Sequence, residues 1–152
     1  MPSVDVANLP FKQQIEFFRG KINIPTQAWT DLLDREHDVG FMVAGATKAE
    51  LLNDFKSSIQ RAIDTGATLQ DFRRDFDSIV SKHGWAFNGG RNWRSRVIYE
   101  TNLRQSYNAG REIQMANPEL RSLRPFGLYR HSGSDEPRPE HLSWDGLVLP
   151  LD

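Results

Sequence analysis

Residues 47–84 read TKAELLNDFKSSIQRAIDTGATLQDFRRDFDSIVSKHG, and this stretch decides the fold of the first half of the chain. Apolar residues recur in it every three or four positions, the spacing that places side chains on one face of an α-helix. They are Leu51, Phe55, Ile59 and Ile63 in one segment and Phe72, Phe76, Ile79 and Val80 in the next. The pattern predicts two amphipathic helices that bury these faces in a common core.

Each predicted helix carries its own start and stop signal. A Thr followed three residues later by an acidic residue is typical of a capping box. A Gly after the last apolar position is typical of a helix end. The pairs are Thr47 with Glu50 and Thr68 with Asp71, and the glycines are Gly66 and Gly84. Because the link between the two helices is short, we expect them to be antiparallel neighbours.

The segments before residue 47 give weaker signals. A helix is predicted from about residue 10 to 21, and another from 25 to 38 with Trp29, Leu32 and Leu33 facing inward. Residues 38–46 are apolar but short and flanked by glycine, so that they fit either a buried helical turn or extended chain. Together with residues 47–84 they predict a helical N-terminal region over residues 8–84.

The second half of the chain has a different pattern. Residues 92–116 predict one long helix that ends before Pro118, with Val97, Tyr107 and Ile113 among its inward residues. Residues 126–132 alternate like a strand, and residues 147–149 predict a second short strand. The expected fold class is therefore mainly α (α+β), with a long helix and a small C-terminal β-hairpin.

Composition excludes several classes of protein. The chain has 152 residues, 38% of them hydrophobic and 26% charged, as in an ordinary globular protein. It contains no cysteine, which excludes disulfides, thiolate metal sites and thiol nucleophiles. No apolar run approaches the roughly 20 residues that a membrane span requires. We expect a soluble cytoplasmic protein with no membrane partner and no cofactor.

Charge is unevenly distributed although the net charge is only −1. Residues 91–130 contain 8 Arg, no Lys and 3 Glu, a net charge of +5, whereas residues 131–152 contain 1 Arg and 5 acidic residues, a net charge of −4. Arginine interleaved with aromatic residues is typical of surfaces that bind phosphate backbones. The candidate DNA-binding residues are Arg91, Arg94, Arg96, Arg104 and Arg111. Pairing with Glu100, Glu112 and the acidic tail is the alternative use of these side chains.

Two further blocks resemble a known family. Residues 94–111 read RSRVIYETNLRQSYNAGR, and residues 129–132 and 138–150 read YRHS and RPEHLSWDGLVLP. The chain resembles the phage Mu protein F-like head morphogenesis family in these blocks and in several shorter stretches before residue 84. The motif residues are Tyr99, Thr101, Asn102, Tyr107 and Gly110 in the first block and Arg138, Pro139, His141, Asp145 and Gly146 in the second.

The resemblance implies a minor head protein of a tailed phage or prophage. Members of the family act by contacts with the portal or the procapsid, in head assembly or DNA delivery. Expected partners are therefore the portal protein, the major capsid protein or both, with DNA as a further candidate. The expected location is the bacterial host cytoplasm during assembly and then the virion head interior. Members continue past the Asp-Gly block, so that residues 91–152 resemble a family region truncated at its C-terminal end.

One set of residues allows a chemical alternative. His131, His141 and Asp145 lie close in sequence and could ligate a divalent metal, which would make a metal-dependent hydrolase. The other interpretation is that Asp145 caps a turn into Gly146 and that His141 bonds to nearby backbone. No nucleophile elbow surrounds the neighbouring serines Ser132, Ser134 and Ser143. We therefore expect no metal site, no catalytic residue and no enzyme activity.

Overall fold

The computed structural model describes residues 10–33, 35–131 and 133–151. The chain divides into two compact units, one ending at Gly110 and one beginning at Arg111. The elements in chain order are α1 (Lys12–Arg19), β1 (Ile22–Asn23), a 3-10 turn (Trp29–Asp31), α2 (Glu36–Val39), β2 (Gly40–Phe41), α3 (Ala49–Thr65), α4 (Leu69–His83), α5 (Arg91–Met115), α6 (Pro118–Leu123), β3 (Phe126–Leu128), α7 (Pro139–Ser143) and β4 (Val148–Pro150). This confirms the mainly α class with a small C-terminal hairpin. The proposed division into regions 8–84 and 91–152 stays a prediction.

Helices α3 and α4 form the predicted pair. Gly66 ends α3 in the left-handed conformation, with φ of 72°. Thr68 then caps α4, because its hydroxyl accepts from the Asp71 amide while the Asp71 carboxylate accepts from the Thr68 amide. The capping box expected at Thr47 is wrong. Helix α3 begins one residue later, after a turn closed by the Ala46 amide and the Val43 carbonyl, and no side chain caps it.

Phe55 on α3 lies at the centre of the core of this unit. Its ring centroid is 5.7 Å from that of Phe76, 6.5 Å from that of Phe72 and 5.4 Å from that of Trp85. All three phenylalanines are at most 1% exposed. Since buried aromatic rings remove large areas from water, this cluster supplies much of the stabilisation of the helix pair.

The predicted helix over residues 25–38 is wrong. The chain there forms the short 3-10 turn and the single turn α2 instead. Asp31 accepts from two backbone amides preceding it, and Glu36 accepts from the Leu33 amide. These side-chain bonds compete with a continuous helical ladder. Leu32 is buried as expected, but Trp29 and Leu33 are 53% and 70% exposed.

In residues 38–46, for which the sequence allowed either a helical turn or extended chain, both occur: Asp38 and Val39 end α2, and Gly40–Phe41 form a strand. Residues Gly40–Phe41 pair with Ile22–Asn23 as a parallel two-residue ladder, with Asn23 opposite Phe41. The fully buried Phe41 ring meets Phe18 of α1 edge to face, with centroids 5.7 Å apart. A short apolar run thus becomes buried extended chain because it has a backbone partner on β1 and an aromatic partner on α1.

The second unit contains α6, α7 and the β3–β4 hairpin. Asn117 caps α6 by accepting from the Glu119 and Leu120 amides, and Pro118 occupies its first turn. The strands are antiparallel, with Phe126 opposite Pro150 and Leu128 opposite Val148. The two predicted strands are thereby confirmed, with the first spanning Phe126–Leu128 where residues 126–132 were expected and the second spanning Val148–Pro150 where residues 147–149 were expected.

Lys21 is a buried charged residue that joins three elements of the first unit. It is 3% exposed, and its ammonium donates to the His37 carbonyl at 2.6 Å, the Gly40 carbonyl at 3.2 Å and the Gln105 side chain at 3.3 Å. Burial lowers the pKa of Lys21 to about 8, although the negative charge of Asp38 acts in the opposite direction. The same side chain therefore satisfies buried carbonyls and is costly to keep charged.

This residue predicts an unusual pH dependence of stability. In the unfolded chain Lys21 keeps its ordinary pKa of 10.5, so that between pH 8 and that value the unfolded state binds more protons than the folded state. The free energy of unfolding should then rise with pH, by at most about 1.4 kcal/mol per pH unit. Lys56, whose pKa burial also lowers, adds to the rise, and Tyr99, whose pKa burial raises, opposes it only above about pH 10.

Urea unfolding between pH 7 and 10 measures the effect. Lys21→Met should be less stable, because it removes the donor from the His37 and Gly40 carbonyls, and should lose most of the rise with pH. A wild-type stability that falls between pH 8 and 10, or an equal slope in the variant, contradicts this prediction.

Candidate functional site

The motif helix α5 buries a stripe of small residues. Ser95, Ile98, Ser106 and Gly110 are its buried positions, whereas Tyr107 and Ile113 are 45% and 50% exposed. The expectation that Tyr107 and Ile113 face inward is therefore wrong. Ser and Gly can occupy a helix contact because they let a neighbouring backbone approach closely. The spacing of three, eight and four residues from Ser95 through Ile98 and Ser106 to Gly110 is the signal that a purely apolar pattern misses.

The hydroxyls of the two serines on this stripe form hydrogen bonds within the first unit. Ser95 donates to the Arg91 carbonyl at 2.8 Å and accepts from Arg73 at 3.3 Å. Ser106 donates to the Asn102 carbonyl at 2.7 Å and accepts from Gln14 of α1 at 3.1 Å. The buried face of α5 is thus held by hydrogen bonds as well as by apolar contact.

The other motif residues of α5 have separate surroundings. The Tyr99 hydroxyl donates to the Ala67 carbonyl at 2.7 Å, and Asn102 donates to the Ile98 carbonyl one turn earlier at 2.8 Å. Thr101 is exposed, and the Tyr107 ring meets Phe11 edge to face at 5.4 Å. Tyr99 and Asn102 are therefore tied to backbone within the unit, whereas Thr101 is available at the surface.

Gly110 is the motif position with the tightest packing. A Cβ atom there would lie 2.8 Å from the Gln14 backbone nitrogen and 2.9 Å from the Phe11 ring. Such distances are too short for a real methyl group, so that α1 sits where only glycine fits.

Four of the candidate arginines lie on the first unit, and three of these form ion pairs there. The Arg91 guanidinium donates two hydrogen bonds of 2.6 Å to the Asp77 carboxylate. These bonds lower the pKa of Asp77 and raise the pKa of Arg91 from their ordinary values. Arg96 and Arg104 lie 3.7 Å and 3.4 Å from the two oxygens of Glu100. Pairing with Glu100 was one of the two sequence interpretations, whereas the role of Asp77 was not foreseen.

Arg94 and Arg111 differ from these three. Arg94 is half-buried; it donates to the Ala44 carbonyl and its guanidinium lies 5.5 Å from the centre of the Trp85 ring. Arg111 is exposed at the start of the second unit. The five arginines therefore do not form one uniform set: three pair with carboxylates, one is partly desolvated and one is open to solvent.

The second motif block forms the connection between β3 and β4 of the C-terminal hairpin. The Tyr129 hydroxyl is hydrogen-bonded to Nδ1 of His141, and Trp144 packs edge to face on both rings, at 5.8 Å and 5.4 Å. Gly146 turns with φ of 87° and donates to the Tyr129 carbonyl at 3.0 Å. Arg138 and Pro139 stand at the start of α7, which carries His141.

Asp145 is the charged member of this cluster. Its carboxylate accepts from the His131 amide at 3.1 Å and lies 3.4 Å from the Arg130 guanidinium. Asp145 therefore connects residues 130 and 131, which follow β3, to the turn that leads into β4. Trp144 was not foreseen as part of this cluster, although its position between His141 and Asp145 was visible in the motif.

Metal-binding geometry is not assembled by the candidate ligands. His131 uses Nδ1 to accept from the Gly133 amide, and His141 uses Nδ1 on Tyr129. Within residues 10–33, 35–131 and 133–151, no three His, Asp or Glu side chains come together as a metal site. Ser143 donates to the Glu140 carbonyl and Ser134 accepts from the Glu136 amide, while Ser132 lies outside the described residues. Among the helices described, none is long and apolar enough to cross a membrane.

Comparison with known proteins agrees with the motif blocks. The chain is similar in sequence to the F proteins of phage Mu and of a Mu-like prophage, which confirms the resemblance seen in the sequence. It is 30% identical to the "Putative capsid assembly protein F" of Escherichia phage Mu over 160 aligned positions, covering 96% of this chain and 36% of that protein. It is 28% identical to the "Mu-like prophage FluMu F protein" of Haemophilus influenzae, covering 84% of this chain and 33% of that protein.

The chain therefore spans about a third of the length of these relatives. No family model matches the chain, and no solved structure matches it. The similarity to phage Mu F protein extends over nearly all of these 152 residues.

Gly110 gives a prediction in which packing and helix propensity have opposite signs. Alanine in place of a mid-helix glycine normally stabilises by about 1 kcal/mol. Here the new methyl group would meet the Gln14 backbone and the Phe11 ring, so that Gly110→Ala should destabilise by roughly 1–3 kcal/mol. The matched control is Asn108→Ala, at an exposed position of the same helix, which should stabilise slightly. Urea unfolding followed by circular dichroism separates the cases, and stabilisation by both variants would show that α1 does not pack closely on Gly110.

Proposed function

We propose that this chain is a part of a phage head assembly protein and acts by contacts with other head proteins, with the portal or the major capsid protein as partner. Its relationship to a protein named for capsid assembly supports this role. The candidate metal ligands, and Ser134 and Ser143 among the serines, are engaged in hydrogen bonds to neighbouring groups, so a binding role accounts for the described residues better than a hydrolase. It would act in the host cytoplasm during assembly and inside the virion head.

The observation that carries the proposal is the apolar surface of the second unit. None of the side chains described in residues 111–131 and 133–151 is fully buried. The hairpin register puts Phe126, Leu128 and Val148 on one face, and they are 63%, 56% and 63% exposed. On the opposite face Leu151 covers Gly127.

Such a surface calls for a covering partner. A two-stranded sheet is marginally stable by itself, and contiguous exposed apolar residues mark protein contact sites. Leu123 of α6, 80% exposed, adds to the apolar character of this unit. A protein of the assembling head is the partner that the relationship to capsid assembly proteins favours.

Co-expression with the portal and major capsid proteins of the same gene cluster tests this. The chain should co-purify with one of them, and Phe126→Asp combined with Val148→Asp should abolish capture, because charges on the apolar face would be buried unpaired. Leu33→Asp, at a position 70% exposed in the other unit, is the matched control and should still be captured. Migration of the wild type free of both proteins, or equal capture of the double variant, would overturn the proposal.

DNA contact by the Arg-rich helix is the second proposal. It is supported by the exposed positions of Arg104 and Arg111, and the pair of Arg104 with Glu100 is weak enough to exchange for phosphate, since exposed pairs contribute only about 0–1 kcal/mol. It is weakened by Arg91, Arg96 and Arg104 already facing carboxylates.

The DNA proposal predicts a salt-dependent mobility shift. Retardation of duplex DNA should fall steeply as salt rises, and Arg104→Gln combined with Arg111→Gln should weaken binding and flatten the salt dependence. The control for net charge is Lys12→Gln combined with Lys48→Gln, which removes two positive charges from exposed positions elsewhere in the first unit. Absence of retardation at low salt would end the DNA proposal without affecting the protein-contact proposal.

A further inference from the structure

A small apolar groove runs along the first half of α5 in the first unit. It encloses about 230 Å³. Its lining includes Val43, Val97 and Ile98, and the side chains of Trp29 and Trp93 also line it while remaining 53% and 56% exposed. Two half-exposed tryptophans beside an apolar recess are typical of a surface that binds a side chain of another molecule.

Arg94 is the charged residue in the lining of this groove. Its guanidinium is held in place by the Ala44 carbonyl and by the Trp85 ring. The Nε atom is buried and has no hydrogen-bond acceptor among the described residues. A pre-positioned guanidinium with an N–H that has no partner favours the binding of an oxygen acceptor.

Arg94 also lacks the carboxylate that its neighbours on α5 have. Arg91, Arg96 and Arg104 each lie within ion-pair distance of an Asp or Glu, whereas no described carboxylate lies within that distance of Arg94. Burial without an opposite charge lowers the pKa of Arg94, which reflects a guanidinium partly removed from water and left uncompensated. Bringing a carboxylate to this position would relieve that cost.

We propose that this groove binds a peptide segment of another protein in which an apolar side chain is adjacent to Asp or Glu. The apolar side chain occupies the recess between Trp29 and Trp93, and the carboxylate pairs with Arg94. The exposed motif residue Thr101 lines the same groove, which gives this position of the motif helix a role in contact with the bound segment.

A nucleic acid fits this groove less well than an acidic peptide. A phosphate backbone requires several available cations along its path, but the flanking Arg91 and Arg96 are turned to their own carboxylates. The recess beside Arg94 is lined mainly by apolar and aromatic side chains, which suits a Phe or Leu side chain. A carboxylate supplies one negative charge, which is enough to pair with the Arg94 guanidinium.

The groove belongs to the first unit, and binding there does not depend on which head protein contacts the hairpin. Binding at the groove can be tested with three peptides: acetyl-Gly-Asp-Phe-Leu-Asp-Gly-amide, its counterpart with Asn in place of Asp, and its counterpart with Ser in place of Phe and Leu. Titration into the ¹⁵N-labelled chain follows the indole N–H signals of Trp29 and Trp93 and the amides of residues 97–101.

The acidic apolar peptide should shift these signals and bind about tenfold more tightly than the Asn peptide, as expected for one charge-assisted pair. The Ser peptide should shift them little. Arg94→Gln should remove the preference for Asp over Asn, whereas Arg96→Gln, on the same helix and outside the groove, should retain it. Thr101→Phe places a large ring in the recess, since Thr101 lines the groove, and should weaken binding of the acidic apolar peptide.

Equal affinities of the Asp and Asn peptides for the wild-type chain, a result that needs no variant, would overturn the proposal. So would unchanged binding in both Arg94→Gln and Thr101→Phe. A single-stranded deoxyoligonucleotide that shifts the same signals and displaces the peptide would replace it with a nucleic-acid site. Each of these results is separate from capture by the portal or capsid protein, which tests the hairpin face.

Discussion

The aromatic core around Phe55 is the contact on which the first unit depends. Helices α3 and α4 are amphipathic and bury little by themselves, but Phe55, Phe72 and Phe76 share one dry cluster that Trp85 closes at one side. Helix stability in proteins comes mainly from such packing and not from propensity. With the pair in place, the remaining elements of this unit have a surface to pack against.

Helix α5 shows how packing and recognition share one element. Ser106 and Gly110 of its buried stripe face α1, and Gly110 is the position where no side chain fits. Most arginines of the same helix in this unit pair with Asp77 or Glu100, which leaves Arg94 as the one without a described carboxylate. That difference, and not the number of arginines, separates structural charge from charge available to a partner.

The second unit is organised around polar and aromatic contacts instead of a buried core. Tyr129, His141 and Trp144 form a ring cluster, and Asp145 ties the turn to the His131 amide. Its apolar side chains are nevertheless exposed on the hairpin face. Units of this size seldom bury enough apolar area to be stable by themselves, and this is the physical basis for proposing a protein partner for the hairpin face.

Sequence alone determined the α3–α4 pair, the glycine stops at Gly66 and Gly84 and the C-terminal hairpin, because these features depend on local periodicity and local backbone conformation. It also determined the similarity to the F proteins of Mu-like phages, since the motif blocks are read directly from residue order. The broken helix at residues 25–38 could not be foreseen, because Asp31 and Glu36 bond to backbone amides in a geometry that periodicity does not encode. Only the tertiary structure decided which side of α5 is buried and which arginine lacks a carboxylate. Both depend on residues far away in the chain, such as Gln14 and Asp77, that folding brings to the helix.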